Sequence, residues 1–288
     1  MIKVLIWRIS NDTTFQDNAL KILERQHDGI EVVGSSTGDD IGKVDWGGVY
    51  DILLVVGANK ISMSKVTQDA RRLNLPEEKL LGDRTVCVPG FTLEKYRNLQ
   101  ESHPSIFSRQ CFGGCVSNML GLPFRSPFVN LFLSANDFIK FLRAPNFYFE
   151  KEPHFEKLTG TSKENPAGYP VLSLGDITLN MMHYKEKDEA ISKWNERKQR
   201  INWDNLVIIC LVESEELLEQ FDALPYDKKI CFVPFESDLD SAWYVNPKVS
   251  KNAKRFPDII NNFGWGYLFL YDLFDMLLYG KKTPLIEM

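Results

Sequence analysis

Apolar and polar positions along the first hundred residues follow a strand–helix rhythm. The run Ile52–Val56 is continuous and largely β-branched, which is typical of a strand covered on both faces. Residues 65–73 have the spacing of an amphipathic helix. Further predicted strands lie at residues 3–7, 30–33 and 85–88, and polar residues 11–13 predict the cap of a first helix. Because strands that alternate with helices form parallel sheets with right-handed crossovers, we predict an α/β fold with a Rossmann-like domain over residues 1–102.

Beyond His103 the pattern remains mixed but becomes less regular, which predicts a second α/β domain over residues 103–288. Ser134, with an acid three residues later, predicts the cap of an amphipathic helix. Tyr169–Leu174 and residues 177–184 flank a Gly-Asp pair and predict an antiparallel hairpin. The remaining predictions are strands at Leu206–Leu211 and Lys229–Val233, a helix at residues 215–221, an irregular excursion over residues 236–262 and a core or docking helix within residues 263–278.

The composition is that of a globular protein, with 44% hydrophobic and 25% charged residues among 288. A net charge of −5 argues against a nucleic-acid binder that works through bulk charge. Five cysteines, an odd number without regular spacing, favour a reducing compartment over a disulfide scaffold. The first residues lack the apolar core of a signal peptide, and residues 263–278 are too short to span a bilayer of about 30 Å. We therefore expect a soluble cytoplasmic protein without an integral membrane segment, and its oligomeric state is left open.

The turn after the first predicted strand bears on cofactor binding. A dinucleotide-binding turn needs glycines there, and Arg8 and Ser10 stand at those positions. We therefore predict no tight binding of NAD or FAD. Asp39 and Asp40 follow the second strand and either accept hydrogen bonds from a ribose or are simply solvated.

The segment CFGGC, residues 111–115, suggests a metal site. A structural zinc needs four closed ligands, and Cys87 and His103 make no recognisable ligand spacing with it. We therefore expect free, buried thiols and no bound metal. Gly113 and Gly114 have two interpretations: their bare amides at a helix start accept a phosphate or carboxylate oxygen, or they let the helix approach a sheet closely.

Several spaced motifs occur in one order between residues 105 and 235. The stretch CFGGCVSNMLGLPFRSPFVNLFLSANDFIKFL, residues 111–142, contains Cys-x-Gly-Gly from Cys111, a Ser-Pro before an apolar segment with Asn130, and an Asp-Phe-Ile-Lys-Phe helix. Together these resemble a bacterial family of unknown function whose members are often labelled exopolysaccharide biosynthesis proteins. Family members carry an asparagine pair where this chain has Arg109 and Gln110. The resemblance continues through Tyr169, Pro170, Gly175, Asp176, His183, Tyr184, Ala190, Trp194, Arg197, Arg200, Asn202, Asp204, Asn205 and Lys229.

The resemblance implies a role in assembling surface polysaccharide, in one of two forms. The first is a transferase acting on a sugar phosphate or nucleotide sugar, and the second is a non-catalytic binding or scaffolding partner. No serine–histidine–acid order, P-loop or zincin spacing is present in the sequence. His183, at the end of the predicted hairpin, is the candidate general base, with Asp204 as its partner only if the fold brings them together. Otherwise His183 is hydrogen-bonded within the hairpin.

Residues 187–200 predict a helix with Trp194 on its apolar face and a stripe of cations along one edge. Lys193 and Arg200 each follow an acid by four residues, so ordinary surface pairs account for them. At the positions three and four residues from Arg197 there are like charges and no acid. Its partner is therefore a carboxylate from elsewhere in the fold or an anionic ligand. We hypothesise that Arg197 clamps a sugar-phosphate group with Trp194 beside it, and that the following Asn202 and Asn205 either bind the sugar or hold the turn.

Overall fold

The computed structural model describes residues 1–58, 63–161 and 166–287. The chain divides into two compact units, one made of residues 1–101 with 117–123 and the other of residues 102–116 with 124–288. Parallel and antiparallel sheets occur together with helices, so the predicted α/β class is confirmed. The boundary predicted at residue 103 and the Rossmann-like assignment remain predictions.

The first unit contains a parallel sheet of β1 (Ile2–Arg8), β2 (Ile30–Thr37), β3 (Ile52–Val56) and β4 (Leu80–Gly82), in the spatial order β2-β1-β3-β4. Strand β3 is buried along its whole length, as its continuous apolar run predicts. The helices of this part are α1 (Gln16–Gln26), α2 (Met63–Arg72), α3 (Asp83–Val86) and α4 (Leu93–Ser102), with 3-10 turns at Gly38–Lys43 and Glu77–Lys79. Val66 and Ala70 of α2 pack into a core with Trp7 and Leu53 of the sheet.

Three predictions for this unit are wrong. Residues 85–88, predicted as a strand, begin inside α3, and the local strand is β4 upstream. The hydroxyl of Thr85 donates to the carbonyl oxygen of Met119 at 2.7 Å, so this β-branched residue makes a tertiary contact rather than a strand ladder. Strand β2 continues to Thr37 instead of ending at residue 33. Helix α1 begins at residue 16 without a side-chain cap, because Asp12 accepts instead from the main chain of Thr14.

Within its described residues, the second part of the chain contains two sheets. Its strands are β5 (Ser105–Ser108), β6 (His154–Thr159), β7 (Tyr169–Leu174), β8 (Ile177–Asn180), β9 (Leu206–Leu211), β10 (Lys229–Val233) and β11 (Ala242–Tyr244). One sheet is parallel in the order β11-β10-β9-β5, and the other is antiparallel in the order β6-β7-β8. The helices are α5 (Phe112–Met119), α6 (Ala135–Arg143), α7 (Pro145–Phe149), α8 (Lys187–Lys198), α9 (Glu215–Asp222), α10 (Phe256–Gly264) and α11 (Leu273–Tyr279).

Several local predictions for this part are confirmed. The bounds of β9 and β10 match the predicted strands, and the hydroxyl of Ser134 caps α6 by accepting from the main-chain nitrogen of Asp137 at 3.0 Å. The predicted hairpin is formed by β7 and β8, but β8 ends at Asn180. His183 therefore lies beyond the strand rather than at its end.

The prediction for the last fifty residues is wrong in two respects. The supposed irregular excursion contains β11 and most of α10, and the apolar stretch of residues 263–278 is divided between α10 and α11. Asp272 separates the two helices, because its carboxylate accepts from the main-chain nitrogens of Phe274 and Asp275 and caps α11. Among the described helices, none has both the length and the apolar character needed to cross a membrane.

Candidate functional site

A turn at Val129 and Asn130 is the centre of the candidate site. Asn130 has a φ of +69°, the left-handed conformation that asparagine tolerates better than most residues. The carbonyl oxygen of Val129 accepts from Nη1 of Arg197 and from the hydroxyl of Tyr184, each at 3.2 Å. The carbonyl oxygen of Asn130 accepts from the main-chain nitrogen of His183 at 3.2 Å. We call these five residues the Arg197 cluster.

Arg197 on α8 is only 8% exposed. Its Nη1 also donates to the Tyr184 hydroxyl at 2.6 Å, and its guanidinium carbon lies 5.5 Å from the centre of the Phe124 ring. Within residues 1–58, 63–161 and 166–287, no carboxylate lies at ion-pair distance from this guanidinium. The cation is thus buried among neutral oxygens and an aromatic ring, although burying a charge is costly unless an opposite charge compensates it.

The Tyr184 hydroxyl links Arg197 to the turn. Burial raises the pKa of Tyr184, the neighbouring Arg197 opposes that rise, and Glu189 and Cys111 add to it. Burial raises the pKa of Cys111 to about 11, so this thiol is protonated at neutral pH and acts as a small packing group rather than a nucleophile.

Gly113 and Gly114 bring the start of α5 against its neighbours. A Cβ at Gly113 would lie 2.9 Å from the side chains of Ile106 and Ser108, and one at Gly114 would lie 3.1 Å from Cγ1 of Val129. The main-chain nitrogen of Gly113 donates to the Ser108 hydroxyl at 2.9 Å. The structure therefore supports the close-packing interpretation of both glycines, and Gly114 holds α5 against the Val129 turn.

His183 and Asn130 contribute side chains with open hydrogen-bonding groups. The His183 side chain is exposed, yet desolvation still lowers its pKa below the ordinary value, so its neutral form predominates at pH 7. In the described part of the chain, neither the His183 ring nor the Asn130 amide has a hydrogen-bond partner. Asp204, the predicted partner of His183, is exposed in the turn before β9, and no hydrogen bond joins the two.

Trp194 and Arg200 are not part of the cluster. Trp194 is 1% exposed and packs edge-on against Phe128 at 5.6 Å between ring centres, so it is a core residue and not a ligand platform. Arg200 pairs with Glu196 as predicted. The predicted pair of Lys193 with Glu189, four residues before it, is wrong, because Lys193 pairs with Glu196 at 2.8 Å. Both cations are therefore accounted for by ordinary surface pairs.

Asn202 and Asn205 hold a turn. The Nδ2 atom of Asn202 donates to the carbonyl oxygen of His103 at 3.1 Å, and that of Asn205 donates to Ser102 at 2.8 Å. The main-chain nitrogen of Asn202 donates to the Ser105 hydroxyl at 2.8 Å. Of the two roles considered for these amides, the structure therefore supports the structural one.

Asp39 and Asp40 of the first unit, the candidate acceptors for a ribose, form ion pairs. Asp39 accepts two hydrogen bonds from Arg72, at 2.7 and 2.8 Å, and Asp40 pairs with Lys43 at 2.7 Å. No group of three metal-ligating side chains occurs in the ranges that the structure describes. The five cysteines are free thiols, and three of them are buried.

Sequence reasoning missed two members of the cluster, Val129 and Tyr184. Val129 contributes a main-chain carbonyl, which no side-chain pattern reveals. Tyr184 stood among the residues of the family resemblance without an assigned role. Its hydrogen bond to Arg197 spans 13 positions along the chain, beyond the reach of helical spacing.

A family model and a curated relative both match this chain. The model for a domain of unknown function, DUF1919, matches residues 84–279. The chain belongs to this family. An uncharacterised protein of Haemophilus influenzae is 34% identical over 184 residues, which are 62% of this chain and 84% of that protein. Every residue of the Arg197 cluster lies within the range that the DUF1919 model matches.

Proposed function

We propose that the protein binds the phosphate of a sugar phosphate or nucleotide sugar at the Arg197 cluster, in bacterial exopolysaccharide biosynthesis. The observation that carries this proposal is the buried guanidinium of Arg197, which meets neutral oxygens and no carboxylate of the described residues. A phosphate would supply the missing negative charge through charge-assisted hydrogen bonds. The pathway rests on the sequence resemblance over residues 105–235.

The remaining groups of the cluster suit a sugar. The Asn130 amide both donates and accepts hydrogen bonds, and a neutral imidazole at His183 does the same through its two nitrogens. Sugar hydroxyls need both kinds of partner. Arg197 would therefore fix the anionic end of the ligand, and Asn130 and His183 would contact its hydroxyls.

In the transferase form of the proposal, His183 acts as a general base. Its lowered pKa leaves the imidazole free to accept a proton from an attacking hydroxyl. A non-catalytic binding protein is the second candidate, and one observation favours it. His183 lies beside Asn130, whereas Asp204 lies in the turn before β9, so Asp204 does not orient the imidazole as a catalytic base requires.

A thermal-shift experiment tests the proposed ligand class. Glucose 1-phosphate and UDP-glucose are expected to raise the Tm of the wild-type protein well above any rise given by the same concentration of glucose, which lacks the phosphate. Arg197→Lys should remove most of that rise because an ammonium cannot donate the paired hydrogen bonds of a guanidinium. Since Arg197 also bonds Tyr184 and Val129, the substitution lowers the Tm of the unliganded protein as well. The quantity compared between variants is therefore the rise in Tm that the ligand causes, not the Tm itself.

Arg200→Lys is the matched control, because Arg200 is exposed and pairs with Glu196; it should retain the full rise. A turnover assay with UDP-glucose and a saccharide acceptor separates the two forms of the proposal. Bonding of the glucosyl group to an acceptor hydroxyl with release of UDP, in a reaction that depends on His183, indicates a transferase. Equal rises in wild type and Arg197→Lys, or no rise with either phosphorylated sugar, would contradict the proposal.

A further inference from the structure

A groove at the C-terminal end of α8 is lined by none of the residues of the Arg197 cluster. Its volume is about 310 Å³, at the lower end of the roughly 300–1,000 Å³ typical of small-molecule sites. Helix α8 directs Arg197 into the buried cluster, and the next two residues line the groove. The lining residues are Asn146, Phe149, Glu150, Lys198, Gln199 and Trp203.

Trp203 is the main apolar surface of this groove. It is 46% exposed, and its ring is held by edge contacts with Phe107 at 6.2 Å and Phe149 at 5.8 Å between ring centres. A large aromatic ring that is fixed before binding loses little conformational entropy when a ligand covers it. The exposed part of Trp203 is therefore a preformed contact surface.

The turn that carries Trp203 is fixed on both sides. Asn202 bonds the main chain of His103 and the hydroxyl of Ser105, and Asn205 bonds the main chain of Ser102. The Nζ atom of Lys228 also donates to Oδ1 of Asn205, at 2.8 Å. The two asparagines thus hold in place a turn whose exposed member is a tryptophan.

We propose that this groove binds a neutral pyranose unit of a saccharide, with Trp203 against the C–H face of the ring. A pyranose has an apolar face and a rim of hydroxyls, and the groove offers an aromatic ring edged by polar groups. The amides of Asn146 and Gln199 donate and accept hydrogen bonds, and the carboxylate of Glu150 accepts them.

The charges of the groove favour a neutral ligand. Glu150 supplies one negative charge and Lys198 one positive charge, so the lining has no net charge. The Nζ atom of Lys198 already donates to the carbonyl oxygen of Phe149 at 3.3 Å. The groove and the phosphate site are therefore argued from different side chains, and either can be correct without the other.

The probes are methyl β-D-glucopyranoside, cellobiose and maltotriose, with binding measured by saturation-transfer NMR and by tryptophan fluorescence at millimolar sugar. Trp203→Ala should weaken binding by about tenfold or more, since stacking on an aromatic ring contributes on that order. Trp265→Ala is the matched control, because Trp265 is 44% exposed and does not line the groove. It should bind the sugars as the wild type does.

Because Trp203 packs against Phe107 and Phe149, its removal can disturb the fold. Glu150→Gln and Gln199→Ala change only exposed side chains at the rim and should each weaken binding by about threefold. Arg197→Lys should leave binding of the neutral sugars unchanged, which separates this site from the phosphate site.

Three results would overturn the proposal: no neutral sugar binds at millimolar concentration, the rim variants and Trp203→Ala all bind normally, or uridine or adenosine binds at Trp203 more tightly than any of the sugars.

Discussion

Arg72 and Arg197 occupy opposite surroundings in two parts of this chain. Arg72 on α2 is exposed and donates two hydrogen bonds to Asp39. Arg197 on α8 is buried, and among the described residues its hydrogen bonds go to neutral oxygens. Water and salt would stabilise the first cation without any partner, so its ion pair adds little to stability. The second cation is shielded from water, and no described carboxylate lies at ion-pair distance from it. The buried arginine is therefore the better candidate for a ligand contact, although it is the exposed one that forms an ion pair.

The largest expected effect comes from placing a carboxylate inside the buried region. Gly114→Asp should lower the free energy of unfolding by more than about 3 kcal/mol, because its Cβ meets Val129 at 3.1 Å and an acid is forced into a packed site. Gly42→Asp is the matched control. Its Cβ also meets a side chain at 3.1 Å, that of Leu73, but Gly42 is exposed.

Urea denaturation of both variants measures the difference. The control should lose much less stability, since an exposed carboxylate stays hydrated. Similar losses in the two variants would mean that the region around Val129 is no more tightly packed than the surface near Gly42.

The next effect tests the hydrogen-bond chain from Arg197 through Tyr184 to Val129. Tyr184→Phe should lower the free energy of unfolding by about 1.5–3 kcal/mol, because it removes a hydrogen bond to a charged group. Tyr226→Phe is the control, since the single hydrogen bond of the Tyr226 hydroxyl within the described residues goes to the neutral carbonyl oxygen of Leu142, at 2.7 Å. Its loss should cost about 0.5–1.5 kcal/mol. If the control costs as much as Tyr184→Phe, the charge of Arg197 adds nothing to its hydrogen bond.

Much of the fold follows from local pattern. Buried strands such as β3, β9 and β10 have continuous apolar runs, and Ser134 caps α6 through a local hydrogen bond, so each could be predicted. The structure of residues 85–88 could not be predicted from local pattern, because Thr85 donates a hydrogen bond to the distant carbonyl oxygen of Met119. The apolar pattern predicts one helix where α10 and α11 are separate, because the break between them depends on the capping carboxylate of Asp272.

The candidate site was predictable only in part. Arg197 stands out because helical spacing places no acid three or four residues from it, and no described carboxylate lies at ion-pair distance from its guanidinium. Asn202 and Asn205 lie close to Arg197 in sequence, which suggests a shared site. In the structure their hydrogen bonds go to residues 102–105 instead. Sequence spacing shows which groups a helix leaves unpaired, whereas the contacts of a turn depend on which distant segment folds against it.

Replacing each arginine by methionine tests the comparison directly. Arg197→Met should lower the free energy of unfolding by about 1–2 kcal/mol, because the oxygens of Tyr184 and Val129 lose their donor, while relief of a desolvated charge offsets part of the cost. Arg72→Met should give no resolvable change, since its partner is hydrated. Guanidinium denaturation at fixed salt measures both. If Arg197→Met is as stable as the wild type and still gains stability from glucose 1-phosphate, the buried charge contributes to neither folding nor binding.

The smallest expected effect concerns His183. Its folded-state pKa lies below the ordinary value of about 6.5 because of desolvation, so the native state binds fewer protons than the unfolded chain between those two values. Stability from this group is therefore fully present above pH about 6.5 and is lost as the pH falls through the lower folded pKa. The slope should stay well below about 1.4 kcal/mol per pH unit, because the imidazole is partly exposed.

His183→Gln should flatten the fall of stability below neutral pH, and His154→Gln, at an exposed position on β6, should not. Sulfate sharpens the comparison because its charge is constant over this range. An anion beside Arg197 would favour the protonated form of His183, so added sulfate should flatten the dependence in the wild type and leave His183→Gln unaffected. If sulfate changes both proteins equally, His183 does not face the anion held by Arg197, and the cluster binds its ligand through Arg197 and Asn130 alone.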